Sequence, residues 1–210
     1  MLLGFLLNHL KGNNIFLMKK LLLATIILIS LTSCGGPDGT AEDTDGLSPE
    51  NHRIFVSSAS YPGNFGNLTT ADLKCKGLAE LAGLTRKYKA ILSTSSEYAT
   101  NRLNFTGSLY IFTSASEKLL VAASISDIWG ADTKSFLNKV NYDENYTLTD
   151  GVKTWTGTDV NGGVANDNCS NWTTTAANSW YGETDKLNDQ WIESNIASCT
   201  NSYRIYCVSQ

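Results

Sequence analysis

The chain has 210 residues, of which 42% are hydrophobic, and a formal net charge of −4. Three of its 16 basic residues precede Cys34 and none of its 20 acidic residues does, so the part from Cys34 onward has a net charge of −7. Such an acidic surface argues against binding to nucleic acid or heparin by bulk electrostatics, although it does not exclude a local basic patch.

A lipoprotein signal peptide is predicted over residues 1–33. Lys19 and Lys20 precede an apolar run of about eleven residues, LLLATIILISL, which has the length of a signal-peptide core and is too short to cross about 30 Å of hydrocarbon. The run ends in Leu-Thr-Ser-Cys, followed by Gly35, and this arrangement resembles the lipobox of bacterial lipoproteins. We therefore expect Cys34 to carry the lipid; the alternatives are a membrane helix or a plain secretory signal.

Residues 1–17 do not fit this signal peptide, because they place a second apolar run before the two lysines. Met18 is the better start site. A membrane hairpin is the alternative, and it is disfavoured because Lys11 and the later lysine pair interrupt the apolar runs.

Residues 34–51 are mainly Gly, Pro, Thr, Ser and acidic residues. Because this stretch has almost nothing to bury, we expect a flexible lipidated tether. The remaining residues, 52–210, are enough for one domain with a hydrophobic core.

Strands and one long helix are predicted in this domain. The segment RIFVSS, which begins at Arg53, has the composition of a strand, and a turn signal follows it at residues 61–64. In the helix that follows, Thr69 is the expected N-cap, Asp72 lies three residues later, and Gly83 occupies the position of a C-terminal glycine. Apolar residues recur along it at helical spacing: Leu73, Leu78, Leu81 and Ala82.

The elements predicted after this helix are a strand at 89–93, a short helix at 96–103, strands at 109–112 and 119–121, and a last strand at 203–208. The last strand mirrors the first in composition, which suggests that the chain ends pair. Residues 138–195 are mostly polar, so we expect a loop-rich second half anchored to the core by isolated tryptophans. These are Trp155, Trp172, Trp180 and Trp191.

Four cysteines lie in the predicted domain, and an even number in an exported domain indicates two disulfide bonds with three possible pairings. A bond from Cys75 on the helix to Cys207 on the last strand would lock the paired chain ends. It would leave Cys169 to bond with Cys199. A zinc site is disfavoured, because no CxxC pair occurs and His52 is the only histidine of the domain.

Several segments of the sequence, taken in order along the chain, resemble those of a known family. They are RIFVSS, ADLKC, GLAELAGL, KYKAILS, WTGTDVNG, CSNW, ASC and YRIYC. Together they are similar to the endostatin domain of collagen XVIII and, more closely, to the endostatin-like lipoproteins of leptospires. The similarity extends over residues 53–207, with the four cysteines in register.

The resemblance implies an α+β domain with a C-type-lectin-like, endostatin-like fold. It implies paired terminal strands and two nested disulfides, Cys75–Cys207 and Cys169–Cys199. It also implies a lipid-anchored adhesin on the surface of the bacterial outer membrane, which binds host matrix or plasma proteins such as laminin, fibronectin, plasminogen and factor H.

Three properties of related proteins are not carried over. Endostatin holds zinc through histidines near its N-terminus, which this domain lacks apart from His52. Endostatin binds heparin through scattered arginines, and only four arginines follow Cys34 here. Calcium-dependent sugar binding is not expected, because the Glu-Pro-Asn type of triplet is absent and residues 187–189 only echo the second triplet of sugar-binding lectins.

The sequence contains none of the common catalytic motifs: GxSxG, HExxH and phosphate-binding glycine loops are all absent. Asp143 and Glu144 could act as a glycosidase pair, but adjacent acids in a polar stretch are better interpreted as surface charge. Four possible oxygen ligands for calcium are interpreted as part of a solvated loop: Asp159, Asp167, Asn168 and Asp189. We therefore expect no enzyme, no cofactor and no metal.

One group of residues is a candidate binding surface, and we call it the basic patch. It consists of Lys74, Lys76, Arg86, Lys87 and Lys89. The alternative is an ordinary solvated surface. The sequence thus predicts a host-binding module without catalysis; the alternative function is an envelope structural lipoprotein with a bacterial partner, not exposed to the host. The oligomeric state and the identity of the ligand are not indicated.

Overall fold

The computed structural model describes Asp43 and residues 45–103, 106–130 and 136–210. The predicted signal peptide, Cys34 and most of the predicted tether lie outside the described residues. Within the described ranges, no helix combines the length and the apolar character needed to cross a membrane.

The described part of the chain forms an α+β domain with few helices and a large sheet. Its strands are β1 His52–Val56, β2 Tyr61–Pro62, β3 Tyr88–Ala90, β4 Leu109–Phe112, β5 Lys118–Ala122, β6 Lys153–Trp155, β7 Asn178–Glu183, β8 Asn195–Ser198 and β9 Ser202–Ser209. Its helices are α1 Leu68–Leu81, α2 Ala99–Arg102 and α3 Cys169–Trp172, with short 3₁₀ helices at Ile125–Ile128 and Asp189–Trp191.

Strand β9 is the centre of the sheet. The strand order is β5-β4-β1-β9-β6-β7-β8, and both β2 and β3 also pair with β9. Strands β1 and β9 are antiparallel, with Ile54 opposite Val208 and Val56 opposite Tyr206. The predicted pairing of the chain ends is therefore confirmed, and residues 205–209 of β9 are buried.

Two hydrophobic clusters fill the domain, and tryptophans lie in both. Trp155 and Trp172 belong to the cluster that includes α1, whereas Trp191 belongs to the cluster around β1 and β4. All three are almost fully buried, which confirms them as core anchors. Trp180 is only half-buried, on strand β7.

Helix α1 begins two residues earlier than predicted. Asn67, not Thr69, is the N-cap, and its side-chain oxygen accepts a hydrogen bond from the Thr70 N–H at 2.9 Å. The end of the helix is as predicted, since Gly83 has a φ of +75°. The Gly83 N–H donates to Glu80 O and the Leu84 N–H to Ala79 O, which is a Schellman motif.

The buried face of α1 differs from the apolar stripe from which the helix is predicted. The residues that pack inward are Ala71, Cys75 and Ala79, at intervals of four. Their small side chains let the helix approach β9, where Cys75 bonds to Cys207 across a Cα–Cα distance of 5.5 Å. Of the leucines on α1, Leu73 and Leu81 lie outside, whereas Leu68 is buried and Leu78 is half-buried against the core cluster.

Two disulfide bonds cross-link the domain, Cys75–Cys207 and Cys169–Cys199. The second pair lies within the chain segment that the first pair closes, so the expected nested arrangement is confirmed. All four cysteines are buried.

The end of the predicted tether packs against the domain instead of extending away from it. Leu47 is fully buried, and Asp45 is nearly so. One Asp45 carboxylate oxygen accepts hydrogen bonds from the backbone N–H and the hydroxyl of Thr85, and the other accepts one from the Tyr88 hydroxyl. Residues 45–51 therefore do have groups to bury: the Leu47 side chain, and the Asp45 carboxylate, which finds donors at Thr85 and Tyr88.

Helix α3 is a left-handed turn. Its four residues have positive φ values between 51° and 67°, although none is glycine. Such backbone costs about 1–2 kcal/mol for each non-glycine residue. Here it is stabilised by the Cys169–Cys199 bond, by Asn168, which caps the Asn171 N–H at 2.8 Å, and by the buried Trp172, whose Nε1–H donates to Ser93 O at 2.9 Å.

Replacing Ser170 in this turn with glycine should raise the free energy of unfolding by about 0.5–1 kcal/mol, because glycine adopts positive φ without a Cβ clash. Ser170 is exposed, so no packing is lost. Urea unfolding of the full chain in mild detergent measures the change. Ser170→Ala is the control and should bring no gain; a destabilised glycine variant would contradict the expectation.

His52 is buried at the start of β1, where its two ring nitrogens lie 3.0 Å from Ser209 O and 2.9 Å from Thr106 O. Burial lowers the pKa of His52, and the charge of Arg86 acts in the same direction, whereas the two carbonyl groups oppose the shift. A histidine whose folded-state pKa is lowered is neutral in the native protein, so its contribution to stability is complete above the unfolded pKa of about 6.5.

The free energy of unfolding should therefore fall as the pH decreases below about 6.5, toward the lowered folded-state pKa of His52. The measurement is urea unfolding at several pH values between 7.5 and 5.5. His52→Gln removes the titrating group and should flatten this dependence, even if its stability is lower throughout. An equally steep dependence in the variant would rule out His52 as the cause.

Candidate functional site

A groove of about 580 Å³ lies between helix α1 and the segment that leads into strand β3. We call it the α1–β3 groove. Its helix wall consists of Thr69, Asp72, Leu73, Lys76 and Glu80, and its other wall is formed by residues 83–89. These helix positions share one face of α1, since they recur at intervals of three and four residues.

The structure brings most of the predicted basic patch together along this groove. Lys76, Arg86, Lys87 and Lys89 all line it. Lys74 does not; its Nζ lies 4.4 Å from the centroid of the Tyr61 ring, on another face of α1. The expected clustering thus holds for four of the five residues.

Arg86 has a structural role that distinguishes it from the lysines. Its buried side chain forms an ion pair with Asp43 and donates hydrogen bonds to backbone carbonyl groups of Leu47, Ser48 and Asn51. The guanidinium thus attaches the chain before β1 to the groove wall. Its charge is largely compensated by Asp43, so Arg86 contributes less than the lysines to attraction of a ligand.

The groove has a small net positive charge, because its three lysines outnumber Glu80, which pairs with Lys76. Lys76 forms an exposed pair with Glu80 at 3.5 Å, an i,i+4 contact that is worth little. Lys89 donates from its Nζ to Arg102 O at 3.1 Å. Lys87 is exposed. Long lysine side chains cover apolar surface with their stems and keep the charge in water.

Apolar side chains line the groove between these charges, and the sequence analysis did not single them out as a site. Leu73 is 58% exposed, which is unusual for a leucine in a cleft beside the core. Leu84 and Tyr88 also line the groove and are buried. Burial raises the pKa of the Tyr88 hydroxyl, and the nearby Asp45 carboxylate raises it further, so Tyr88 stays a donor to Asp45.

An ion pair between the buried Arg102 and the partly buried Asp72 closes one end of the groove. Asp72 accepts two hydrogen bonds from Arg102 Nη2, at 2.6 and 2.7 Å, and one from the Ala90 N–H at 2.9 Å. Arg102 Nη1 donates to Ala90 O at 2.8 Å and to Leu92 O at 3.1 Å. These contacts fix α1 beside β3 and set the width of the groove.

Asp143 and Glu144 are not surface charges, and that interpretation is wrong: they are only 5% and 2% exposed. Asp143 accepts hydrogen bonds from the Asn145 and Thr147 N–H groups at 2.9 and 2.8 Å. Glu144 accepts from the Ser58 N–H at 3.0 Å and from the Ser58 hydroxyl. Both acids satisfy backbone donors and hold a loop against β1.

Two of the four possible calcium ligands serve other contacts. Asp159 accepts from the Asn161 and Gly163 N–H groups at 2.9 and 2.8 Å, and Asn168 caps α3. No group of three or more histidine, cysteine or acidic side chains is arranged to hold a metal ion within the described ranges.

Comparison with known proteins found no match, either among models of protein families or among curated protein sequences.

Proposed function

We propose that this chain is a lipid-anchored surface adhesin of a bacterial outer membrane. It presents an endostatin-like domain of the C-type-lectin-like fold to host matrix or plasma proteins and performs no catalysis. The sequence support is the lipobox at Cys34 and the ordered similarity over residues 53–207. The candidate ligands are of the laminin, fibronectin, plasminogen and factor H class.

The single observation that carries the proposal is the α1–β3 groove. It combines an exposed leucine, buried apolar neighbours and three lysines on a domain whose overall charge is negative. An apolar centre with a charged rim is typical of protein-binding surfaces. The lysines attract an acidic partner locally, where the rest of the surface would repel it.

The rigidity of the groove also supports binding. The disulfide at Cys75 attaches α1 to β9, and Asp72 attaches it to β3 through the Ala90 N–H and to α2 through Arg102. A preformed site loses little conformational entropy when it binds. Disulfide-stabilised domains are moreover suited to the oxidising exterior of a cell.

Two measurements test the proposal. Protease treatment of intact cells should cleave the protein, because an adhesin faces outward; a protein that is spared would favour the periplasmic, bacterial-partner alternative. Solid-phase binding of the full chain in mild detergent to laminin, fibronectin, plasminogen and factor H should give saturable binding to at least one. Absence of saturable binding to any of them would overturn the proposal.

Charge reversal tests whether the α1–β3 groove is the surface that binds the host protein. Replacing both Lys87 and Lys89 with glutamate should weaken the binding at least tenfold. Lys139→Glu is the matched control, because Lys139 lies outside the groove and forms an exposed pair with Asp150. Equal loss in both variants would indicate a general charge effect and not the groove.

A further inference from the structure

Strand β8 forms one edge of the sheet. It pairs with β7, and in the described part of the chain no strand lies on its other side. Asn195, Ile196 and Ser198 are exposed, and Ala197 is half-buried. Solvent therefore reaches this edge directly.

The opposite edge of the sheet, β5, is better protected. The Leu137 N–H donates to Val121 O at 2.8 Å, so a neighbouring segment occupies part of its outer side. Lys118 also places a charged side chain on β5, and such charges commonly protect sheet edges from association. Strand β8 lacks this protection, since residues 194–202 contain no charged side chain.

The ladder with β7 determines which backbone groups of β8 lie on its outer side. The Cys199 N–H donates to Ala177 O at 2.9 Å, in register with the strand pairs of β7 and β8. Because only alternate residues of an antiparallel strand bond to one neighbour, Ala197 also directs its backbone groups to β7. The backbone groups of Ile196 and Ser198 therefore point away from the sheet.

Two of these four outward groups are already used. The Ile196 N–H donates to Asn195 Oδ1 at 2.7 Å, and the Asn201 N–H donates to Ser198 O at 3.0 Å. Among the described residues, the Ser198 N–H and the Ile196 C=O have no hydrogen-bond partner. The edge thus presents one donor and one acceptor, two residues apart.

This donor and this acceptor are self-complementary. When a second copy of β8 lies antiparallel to the first, with the two Ala197 residues opposite each other, each Ser198 N–H meets the Ile196 C=O of the other copy. A two-fold axis through Ala197 relates the two bonds, and two-fold dimers are the commonest symmetric assemblies. The same register places the two Ile196 side chains on one face as diagonal neighbours.

The side chains beside this edge also favour a second copy. Ile196 is 41% exposed and lies opposite the half-buried Trp180 of β7, so the two residues provide apolar surface next to the strand. The chain from Cys34 onward has a net charge of −7, which opposes the approach of two copies elsewhere. The uncharged stretch 194–202 is where they can meet without placing like charges together.

We propose that the chain forms a two-fold symmetric dimer, in which the β8 strands of two copies pair antiparallel about Ala197 and continue the sheet from one molecule to the other. The Cys169–Cys199 disulfide holds the end of β8 in place, so pairing requires little further ordering. A contact between four-residue strands is small. It therefore forms most readily between copies in one membrane, where their effective concentration is high.

Cysteine cross-linking of the full chain in lipid vesicles tests this register. The two residues 197 form a non-hydrogen-bonded pair with Cα atoms about 4.5 Å apart, which a disulfide can bridge. The two residues 195 are displaced by about 14 Å along the strands, which it cannot. Mild oxidation should cross-link Ala197→Cys at least tenfold faster than Asn195→Cys, and the wild type should not cross-link.

Variants without an added cysteine test the backbone hydrogen bonds. Ser198→Pro removes the donating N–H and should weaken dimerisation at least tenfold, whereas Ser198→Ala keeps this N–H and should stay within twofold of wild type. Energy transfer between copies labelled at the C-terminus, in lipid vesicles, measures dimerisation. Circular dichroism verifies that each variant is folded.

A charge on the edge provides a second, independent variant. Ile196→Lys changes an exposed side chain, so folding is preserved, and it places like charges on adjacent strands of the dimer. We expect dimerisation at least tenfold weaker than in the wild type. Leu81→Lys is the matched control, because Leu81 is 88% exposed on α1, and it should stay within twofold of wild type.

Equal cross-linking of the two cysteine variants, or none in either, would overturn the proposal. A dimer that persists in folded Ser198→Pro or in Ile196→Lys would also overturn it. A monomeric wild type whose binding to a host protein is weakened by Ile196→Lys would assign the edge to that protein instead. The inference goes beyond host binding: if the wild type is monomeric but binds a host protein, the dimer fails and the adhesin proposal stands, and a dimer that binds no host protein gives the reverse.

Discussion

Replacing both Cys75 and Cys207 with alanine should lower the free energy of unfolding by about 5 kcal/mol. The bond joins residues that are 132 positions apart. In the chain-entropy model, closing so long a loop lowers the entropy of the unfolded chain and thereby stabilises the folded state by about that much. The bond also connects α1 to the central strand β9, so its loss should loosen the helix before the sheet. Urea unfolding of the full chain in mild detergent, followed by tryptophan fluorescence, gives the free energy.

The second disulfide is the matched control for this prediction. Cys169 and Cys199 are 30 positions apart, and replacing both with alanine should cost about 3.7 kcal/mol by the same model. The expected order is therefore a larger loss for the outer bond. A larger loss for the inner bond would show that its support of the left-handed turn, and not loop closure, determines the effect.

Arg102→Ala should lower the free energy of unfolding by about 3 kcal/mol, the lower end of the usual cost of removing one partner from a buried ion pair, because Arg102 is buried but Asp72 is partly exposed. The substitution leaves Asp72 without its counter-ion and leaves the carbonyl groups of Ala90 and Leu92 without a side-chain donor. Because the same contacts fix α1 beside β3, binding of a host protein through the α1–β3 groove should weaken as well.

Two further variants separate the causes of this loss. Arg102→Lys keeps the positive charge but cannot reproduce the forked contacts with Asp72 and the two carbonyl groups, so an intermediate loss is expected. Lys139→Ala removes an exposed ion pair with Asp150 and should cost less than about 1 kcal/mol. A loss for Arg102→Ala as small as that for Lys139→Ala would contradict the structural role given to Arg102.

The elements that could be predicted from sequence are those with a strong local pattern. The apolar chain ends predict β1 and β9, Gly83 predicts the end of α1, and an even number of cysteines predicts two bonds. By contrast, β7 was missed, because NSWYGE carries no regular alternation of apolar and polar residues and owes its strand structure to pairing with β6 and β8.

The candidate site was only partly predictable for a related reason. The basic patch followed from charge density, and the structure places four of its five members along the α1–β3 groove. The role of Leu73 could not be predicted, because helical periodicity identifies an apolar stripe without telling which face packs inward. That choice depends on the small residues around Cys75, since its bond to Cys207 requires a close approach of α1 to β9.

The central claim is that the α1–β3 groove is the surface through which this chain binds a host protein. The most direct measurement compares Leu73→Asp and Leu81→Asp in saturation binding of the full chain to the host protein that the wild type binds. We predict at least a tenfold weaker affinity for Leu73→Asp and an affinity within twofold of wild type for Leu81→Asp. Wild-type affinity in both variants would contradict the claim.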